Sequence, residues 1–381
     1  MPTIFTRGAA SARGFGFGAA ASFVPSTPGG LWSWGFNTSG QLGLNNTTAY
    51  SSPKQVGALI TWSYIAGSKI GSWGAAIKTD GTLWSWGLND TGQLGLGDIT
   101  NRSSPVQVGA LTTWSKVSAG SQNALAIKTD GTLWAWGRNQ FGQLGLGDIT
   151  NRSSPVQVGA LTTWSTVSTS RVNTLAIKTD GTLWSWGRGN LGALGLGNVT
   201  NYSSPKQVGA LTTWSKVLAG NYFTLALTTS GALWSWGNNT YGQLGLGNIT
   251  NYSSPVQVGA LTTWNTLLSG GTWGGAVKTD GTLWTWGRNH LGQLGLGNIT
   301  NYSSPKQVGA LTTWSNKISA GGYFTLAITT SGALWSWGRN ANGQLGLGNL
   351  TYYSSPKQVG ALTTWNAVGA ISGYASLAIL S

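Results

Sequence analysis

The sequence predicts an all-β chain: a closed seven-bladed β-propeller of four-stranded antiparallel blades, one blade shared between the N- and C-terminal segments, plus an N-terminal arm. Three observations predict it. A five-residue string recurs seven times at near-constant spacing, each repeat holds four short β-prone runs, and the two ends of the chain complement one another. Leu-Trp-x-Trp-Gly begins at Leu31, Leu83, Leu133, Leu183, Leu233, Leu283 and Leu334, at intervals of 52, 50, 50, 50, 50 and 51 residues. Gly92–Ser115 and Gly142–Ser165 are identical over 24 residues. A fixed period of a few tens of residues marks an architecture of stacked supersecondary units.

Residues 1–30 precede the repeats and are rich in Gly, Ala, Ser and Phe. Glycines interrupt the apolar stretch from Phe15 to Val24, which makes it a poor signal peptide. This segment reads as an arm that anchors the protein to a partner in an assembly, with Phe5, Arg7, Arg13, Phe15 and Phe17 as its contact residues. Residues 31–381 form the propeller.

Within one unit, Lys116-Val-Ser-Ala-Gly is a short strand ending in glycine, and Ala124-Leu-Ala-Ile-Lys-Thr is a second. Asp130-Gly131 follows, a dipeptide that supplies the positive φ angles of a tight hairpin turn. Thr132-Leu-Trp-Ala-Trp-Gly is a third strand with β-favouring aromatics at alternate positions. After the glycine-rich Gly142-Gln-Leu-Gly-Leu-Gly, the run Ser153-Ser-Pro-Val-Gln-Val is a fourth strand, whose proline suits an outer edge. A Trp at fixed phase in every unit is expected to pack between blades. The ends close the ring: about 365–381 supplies two strands of a blade and about 30–56 the other two, which removes open sheet edges.

Composition narrows the function. Charged residues make up 7% of the chain, with one His, seven Asp and no Glu or Cys. There is no disulfide framework, thiolate metal site or cysteine nucleophile, and no apolar run long enough to span a membrane. The formal charge of +14 favours anionic partners. The basic residues are spread over the repeats without a basic tail, so a solvated, mildly basic surface is preferred to a nucleic-acid footprint.

Three motifs recur in order: Trp-Gly-Arg-Asn-x-x-Gly-Gln-Leu-Gly-Leu-Gly (Trp286–Gly297), Ser-Pro-x-Gln-Val and Ala-Gly-x-x-x-x-Leu-Ala-Ile. Together they resemble the regulator of chromosome condensation repeat over residues 31–381. The resemblance implies a seven-bladed propeller. One member of that family exchanges nucleotide on the Ran-type small GTPase and binds chromatin, while others are binding platforms. A His common in the family three residues after Ala-Gly is replaced here by Asn123, Asn173, Phe223, Trp273 and Phe324. No wedge-like insertion and no basic N-terminal cluster is present, so the fold carries over and the exchange activity does not.

Catalysis is not expected. Asp80, Asp130, Asp180 and Asp280 belong to hairpin turns, and Asp90, Asp98 and Asp148 stand in loops of different repeats. His290 is alone, in a variable loop position. No cofactor or metal is expected. The repeats differ most in two loops per unit, which carry Arg138, Arg188, Arg288, Arg339, Tyr222, Phe223, Trp273, Tyr323 and Phe324. Such residue types make contacts on loops, and these nine are the candidate binding residues.

Two readings of function follow. The first is a structural and interaction protein of a tailed-phage virion, serving as decoration, tail or host-surface-binding protein. It would hold other virion proteins through residues 1–30 and face a host glycan or protein. The alternative is a cytoplasmic regulator, either a small-GTPase exchange factor or a DNA-associated propeller. Nucleic acid is the less favoured partner.

Overall fold

The computed structural model describes residues 29–68 and 70–381. They form seven four-stranded antiparallel sheets, six of them with consecutive strands as neighbours. Blade 1 is typical, with strands Trp62–Gly67, Trp73–Lys78, Leu83–Gly87 and Arg102–Gln107. Blades 2 to 6 repeat it. Blade 7 joins the chain ends: Trp365–Ile371 and Ala375–Leu380 pair with Gly30–Gly35 and Tyr50–Gln55. The joint is an unbroken register from Gly30↔Leu380 to Gly35↔Ala375. The arm residues Phe5, Arg7, Arg13, Phe15 and Phe17 lie outside the described residues.

The first strand of every blade touches the first strand of the next, and that of blade 7 touches that of blade 1. These strands line the axis, and the proline-bearing fourth strands form the outer wall. Turns between first and second strands, with loops between third and fourth, make one face, called upper here. The Asp-Gly hairpins and the blade-to-blade connections make the lower face.

Tryptophan holds blade to blade. In each Trp-x-Trp pair the second ring is buried and its Nε1–H crosses to the loop of the preceding blade. Trp86 donates to the Gln41 carbonyl, Trp136 to Gln93, Trp186 to Gln143, Trp236 to Ala193, Trp286 to Gln243 and Trp337 to Gln293. Trp34 donates to Gln344 and completes the circle, and all seven bonds are between 2.9 and 3.2 Å. A glycine of that loop must lie against the ring. A Cβ added at Gly195, where φ is +72°, would sit 2.7 Å from Trp236 Nε1.

A second tie joins the same loops to the next outer strand: Gly97 N–H donates to Ser153 O, and five further glycines repeat the bond. In blade 7 Asn45 replaces the glycine, keeps a positive φ of 59° and donates to Ser103 O. Asn is among the few residues that tolerate this conformation.

The Trp that opens each first strand meets both rings of its own pair, edge to face in every contact but the tilted one of Trp314 with Trp337. Trp164 lies 6.3 Å from Trp184 and 5.9 Å from Trp186. In blades 1, 2, 3 and 5 the outer ring of the pair is held by a polar chain. Asp80 Oδ1 accepts from the backbone N–H and the hydroxyl of Thr82, Thr82 Oγ1 accepts from Trp84 Nε1, and Lys78 Nζ stands 3.6 Å over the Trp84 ring. Blades 4 and 6 carry Ser-Gly-Ala instead, and there the indole N–H groups of Trp234 and Trp335 are buried without an acceptor.

Trp186→Phe removes an inter-blade bond and leaves the Gln143 carbonyl with the Thr174 hydroxyl as its side-chain donor. It should lower stability by about 2–4 kcal/mol in chemical denaturation, whereas Trp184→Phe, which keeps that bond, should lower it less. Writing Asp-Gly-Thr into blade 4 (Ser230→Asp with Ala232→Thr) gives Trp234 its missing acceptor. A gain of about 1 kcal/mol is expected, and a loss would show that the hydroxyl does not fit.

Candidate functional site

The upper face gathers the sequence-predicted arginines into one belt around the axis. Each follows a third strand, at the Trp-Gly-Arg step, and all four are half-buried. Arg188 packs on Phe141 at 4.7 Å and on Tyr222 at 5.6 Å, its Nη1 donating to the Tyr222 hydroxyl at 3.4 Å. Arg339 packs on Tyr374 at 4.7 Å and on Tyr323 at 5.8 Å. Arg288 lies 4.6 Å over Tyr241. Arg138 is held by amides instead, donating to Gln122 Oε1 and Gln140 Oε1.

Tyr222 and Tyr323, two of the candidate residues, stand in this belt. Phe141, Tyr241 and Tyr374 belong to it too and escaped the sequence reading. Their signal was available: Phe141 and Tyr241 occupy the last variable place before Gly-Gln-Leu-Gly, one blade behind the arginine each supports. Tyr222 carries a positive φ of 66°. A bulky side chain is uncommon in that conformation, and here it brings the ring to Arg188.

Phe223, Trp273 and Phe324 correct the expectation. All three are fully buried and contribute to the core between blades. They begin the second strands and do not belong to the turns. The ring of Phe223 folds back over Gly220, where a Cβ would lie 2.0 Å from it. Their aromatic character fills space around the axis and offers nothing to a partner.

The carboxylates explain why the belt is cationic. Asp98 pairs with Arg102 and Asp148 with Arg152, both at 2.6 Å, at the outer rim. In blades 3 to 6 the same corner is an Asn and a Tyr, with Asn198 Nδ2 donating to the Tyr202 hydroxyl, for example. Only Asp90 faces the belt, and it accepts from Gln93 Nε2 and Gln122 Nε2, both at 2.9 Å. His290 is exposed and lies edge-on to Tyr323. Partial burial and the neighbouring Arg288 and Arg339 guanidinium groups hold its pKa below the usual histidine value. Among the described residues no group of three or more His, Cys, Asp or Glu could hold a metal ion.

Blade 3 departs from the others on this face. Gly189 and Ala193 stand where other blades carry the Asn and Gln of their loop, and residues Asn190–Gly192 form a single 3-10 turn. Elsewhere that Asn braces the loop: Asn139 Oδ1 accepts from Leu144 N–H and its Nδ2 donates to the Asp148 carbonyl.

Fold and site together define a ring-shaped propeller whose upper face carries a cationic belt braced by aromatic rings. The description "Regulator of chromosome condensation (RCC1) repeat" matches residues 28–69, 80–127, 130–177, 180–227, 230–271, 280–328 and 331–379. The chain belongs to the RCC1 repeat family.

Protein RCC2 of Mus musculus is 36% identical over 91 residues, 24% of this chain and 18% of that protein. The probable E3 ubiquitin-protein ligase HERC3 of Homo sapiens is 38% identical over 88 residues, 22% of this chain and 8% of that one. Each match spans less than a fifth of the relative's length. Among solved structures, Prp20p from Saccharomyces cerevisiae superposes with a TM-score of 0.83 at 20% identity, covering 95% of this chain and 94% of its own. Human WBSCR16 superposes at 0.82 with 23% identity, over 92% and 98%. These two likenesses establish the fold.

The carboxylates also set a pH dependence. The Thr82 hydroxyl and backbone N–H hold Asp80 below its ordinary value of 3.8, and Asp130, Asp180 and Asp280 are held down in the same way by their own Thr. Asp98 and Asp148 are held down by the N–H groups of Thr100 and Thr150 first, and by their arginines. A carboxylate depressed in the folded state contributes stability that is full above its unfolded pKa and is lost as pH falls through the folded value. His290, also depressed, costs stability as pH falls below its ordinary value of 6.5, so thermal stability should slope down gently below about 6.5 and fall more steeply below about 4. Asp80→Asn should shallow that acid limb, and a fall already complete at pH 5 would point to other groups.

Proposed function

We propose that the chain is a non-catalytic interaction ring whose upper face receives an acidic protein surface, in the manner of an intracellular regulator. The observation that carries this reading is the bracing of Arg188, Arg288 and Arg339 by aromatic rings. A guanidinium stacked on a ring is pre-organised and keeps the N–H groups of its edge for a carboxylate, which it can bind in bidentate fashion. Little ordering entropy then remains to be lost on binding.

The same bracing disfavours nucleic acid. Single-stranded nucleic acid binds by stacking bases on open aromatic faces, and the rings of this belt are half-buried and engaged by guanidinium groups. Exchange of nucleotide on a GTPase is not part of the proposal, because each described blade is a plain four-stranded sheet without an inserted hairpin.

Family membership supports the regulator reading over the virion component. The fold neighbour Prp20p was solved together with its binding properties to Gsp1p and histones, and yeast RCC1 (Prp20) was solved bound to Kap60. A propeller of this family serving as a protein-binding ring is consistent with both. The virion reading, with residues 1–30 as its anchor, stands on the style of the arm and the composition alone.

Fluorescence anisotropy with a labelled oligoglutamate peptide and a labelled oligothymidine of matched charge tests the proposal. The peptide should bind, and Arg188→Ala with Arg288→Ala and Arg339→Ala should weaken it about tenfold or more. Tighter binding of the oligonucleotide, with a steep salt dependence, would replace the acidic-protein reading with a nucleic-acid one.

A further inference from the structure

The belt of the upper face is interrupted. The residue that follows Trp-Gly stands at one level in all seven blades, because its N–H donates to a carbonyl in the turn between the first two strands of its own blade. The donors are Phe36, Leu88, Arg138, Arg188, Asn238, Arg288 and Arg339, and the seven bonds span 2.8 to 3.1 Å. All seven side chains are half-buried. Arginine holds this place in blades 2, 3, 5 and 6. Blades 7 and 1, which adjoin, carry Phe36 and Leu88 instead.

Contacts join this apolar sector to the cationic one. Closure of the ring sets blade 6 beside Phe36, and the Tyr374 ring lies between them. It packs on Phe36 at 6.0 Å and carries the Arg339 guanidinium at 4.7 Å. Guanidinium and Phe36 ring are therefore no more than about 11 Å apart, a gap that roughly three residues of extended chain span. The other flank is different. Asp90 follows Leu88 by two residues, and Gln122 bridges it to Arg138. Gln122 Nε2 donates to Asp90 Oδ2 and its Oε1 accepts from Arg138 Nη1. Arg138 thus has an anionic group close by, whereas the ion pairs among the described residues leave Arg288 and Arg339 without a carboxylate.

Building on the acidic-protein reading, on which this rests, we propose that the partner is an acidic segment with an aromatic or branched aliphatic side chain at one end. That side chain seats on Phe36 and Leu88, and the carboxylates lie over Arg339 and Arg288. Round the ring the order is apolar on blades 1 and 7, then cationic on blades 6 and 5, so the face distinguishes the two ends of its ligand. A carboxylate run laid the other way, from blade 1 over blade 2, meets Asp90 first. Juxtaposed like charges oppose that docking. Covering Phe36 and Leu88 with a third apolar group removes surface from water, a gain that a purely acidic segment does not have.

Fluorescence anisotropy on the full chain with three labelled peptides tests the proposal. They are oligoglutamate alone, and oligoglutamate extended through Gly-Ser to a tryptophan at its amino or its carboxyl end. One of the two tryptophan peptides should bind about tenfold tighter than oligoglutamate. Leu88→Arg with Phe36→Arg writes into blades 1 and 7 the residue that four other blades hold at this level, so the fold should be kept. This variant should lose the preference for tryptophan and bind oligoglutamate more tightly than the unchanged chain does. Leu88→Ser alone, a smaller change, should lower the preference severalfold. Arg339→Ala should weaken binding of all three peptides. Equal binding of the three peptides, or a preference for tryptophan that survives the double change, would overturn the proposal and leave the acidic-protein reading standing. Failure of all three to bind would remove both.

Discussion

The indole N–H of the buried Trp in each Trp-x-Trp pair, reaching across to the loop of the preceding blade, is the contact on which the ring depends. A single propeller blade buries only part of its apolar surface and gains stability by stacking. The bond from Trp186 to Gln143 fixes how far each blade is rotated and shifted against the last. The glycine-rich loop exists to let that ring approach. Its other end ties to the next outer strand, so one loop clamps two blades at once. With Trp34 reaching Gln344, the constraint returns to its start, and no blade is terminal.

This constraint divides the molecule into parts that repeat and parts that vary. The tryptophans, the loop glycines and the Asp-Gly-Thr chain recur because each has a geometric task in its own blade. The residues following Trp-Gly point out of the packing and differ from blade to blade. On the upper face this freedom yields a belt of guanidinium groups supported by rings contributed from neighbouring blades. Support can cross from blade to blade: Arg188 rests on a phenylalanine one blade back and a tyrosine one blade ahead, whereas Arg138 is held by two glutamines of its own blade.

The architecture was legible because repetition multiplies weak local signals. One Asp-Gly or one proline in a β-prone run says little, but four of the first and seven of the second in phase specify strand order, edge and closure. The site was legible only in part. Arg138, Arg188, Arg288 and Arg339 were found because variation within a fixed frame exposes them. Phe223, Trp273 and Phe324 misled for the same reason, since they vary while facing inward. A strand starts one residue earlier than the variable turn suggests, and the glycine before the turn allows the ring to fold under it. Phe36 and Leu88 read as plain loop residues, and only the closed ring, which brings Tyr374 and Arg339 from the far end of the chain to Phe36, ties them to the belt.

The near-identity of the units has a consequence for how such a surface changes over time. Because every blade meets its neighbours through the same tryptophan bond and the same clamped loop, a stretch such as Gly92–Ser115 can be overwritten by its copy at Gly142–Ser165 without disturbing any joint. Each blade then behaves as an interchangeable cassette whose exposed tip is rewritten separately from its frame. Recognition can drift tip by tip, or be shuffled several tips at a time, while the ring that displays it stays the same.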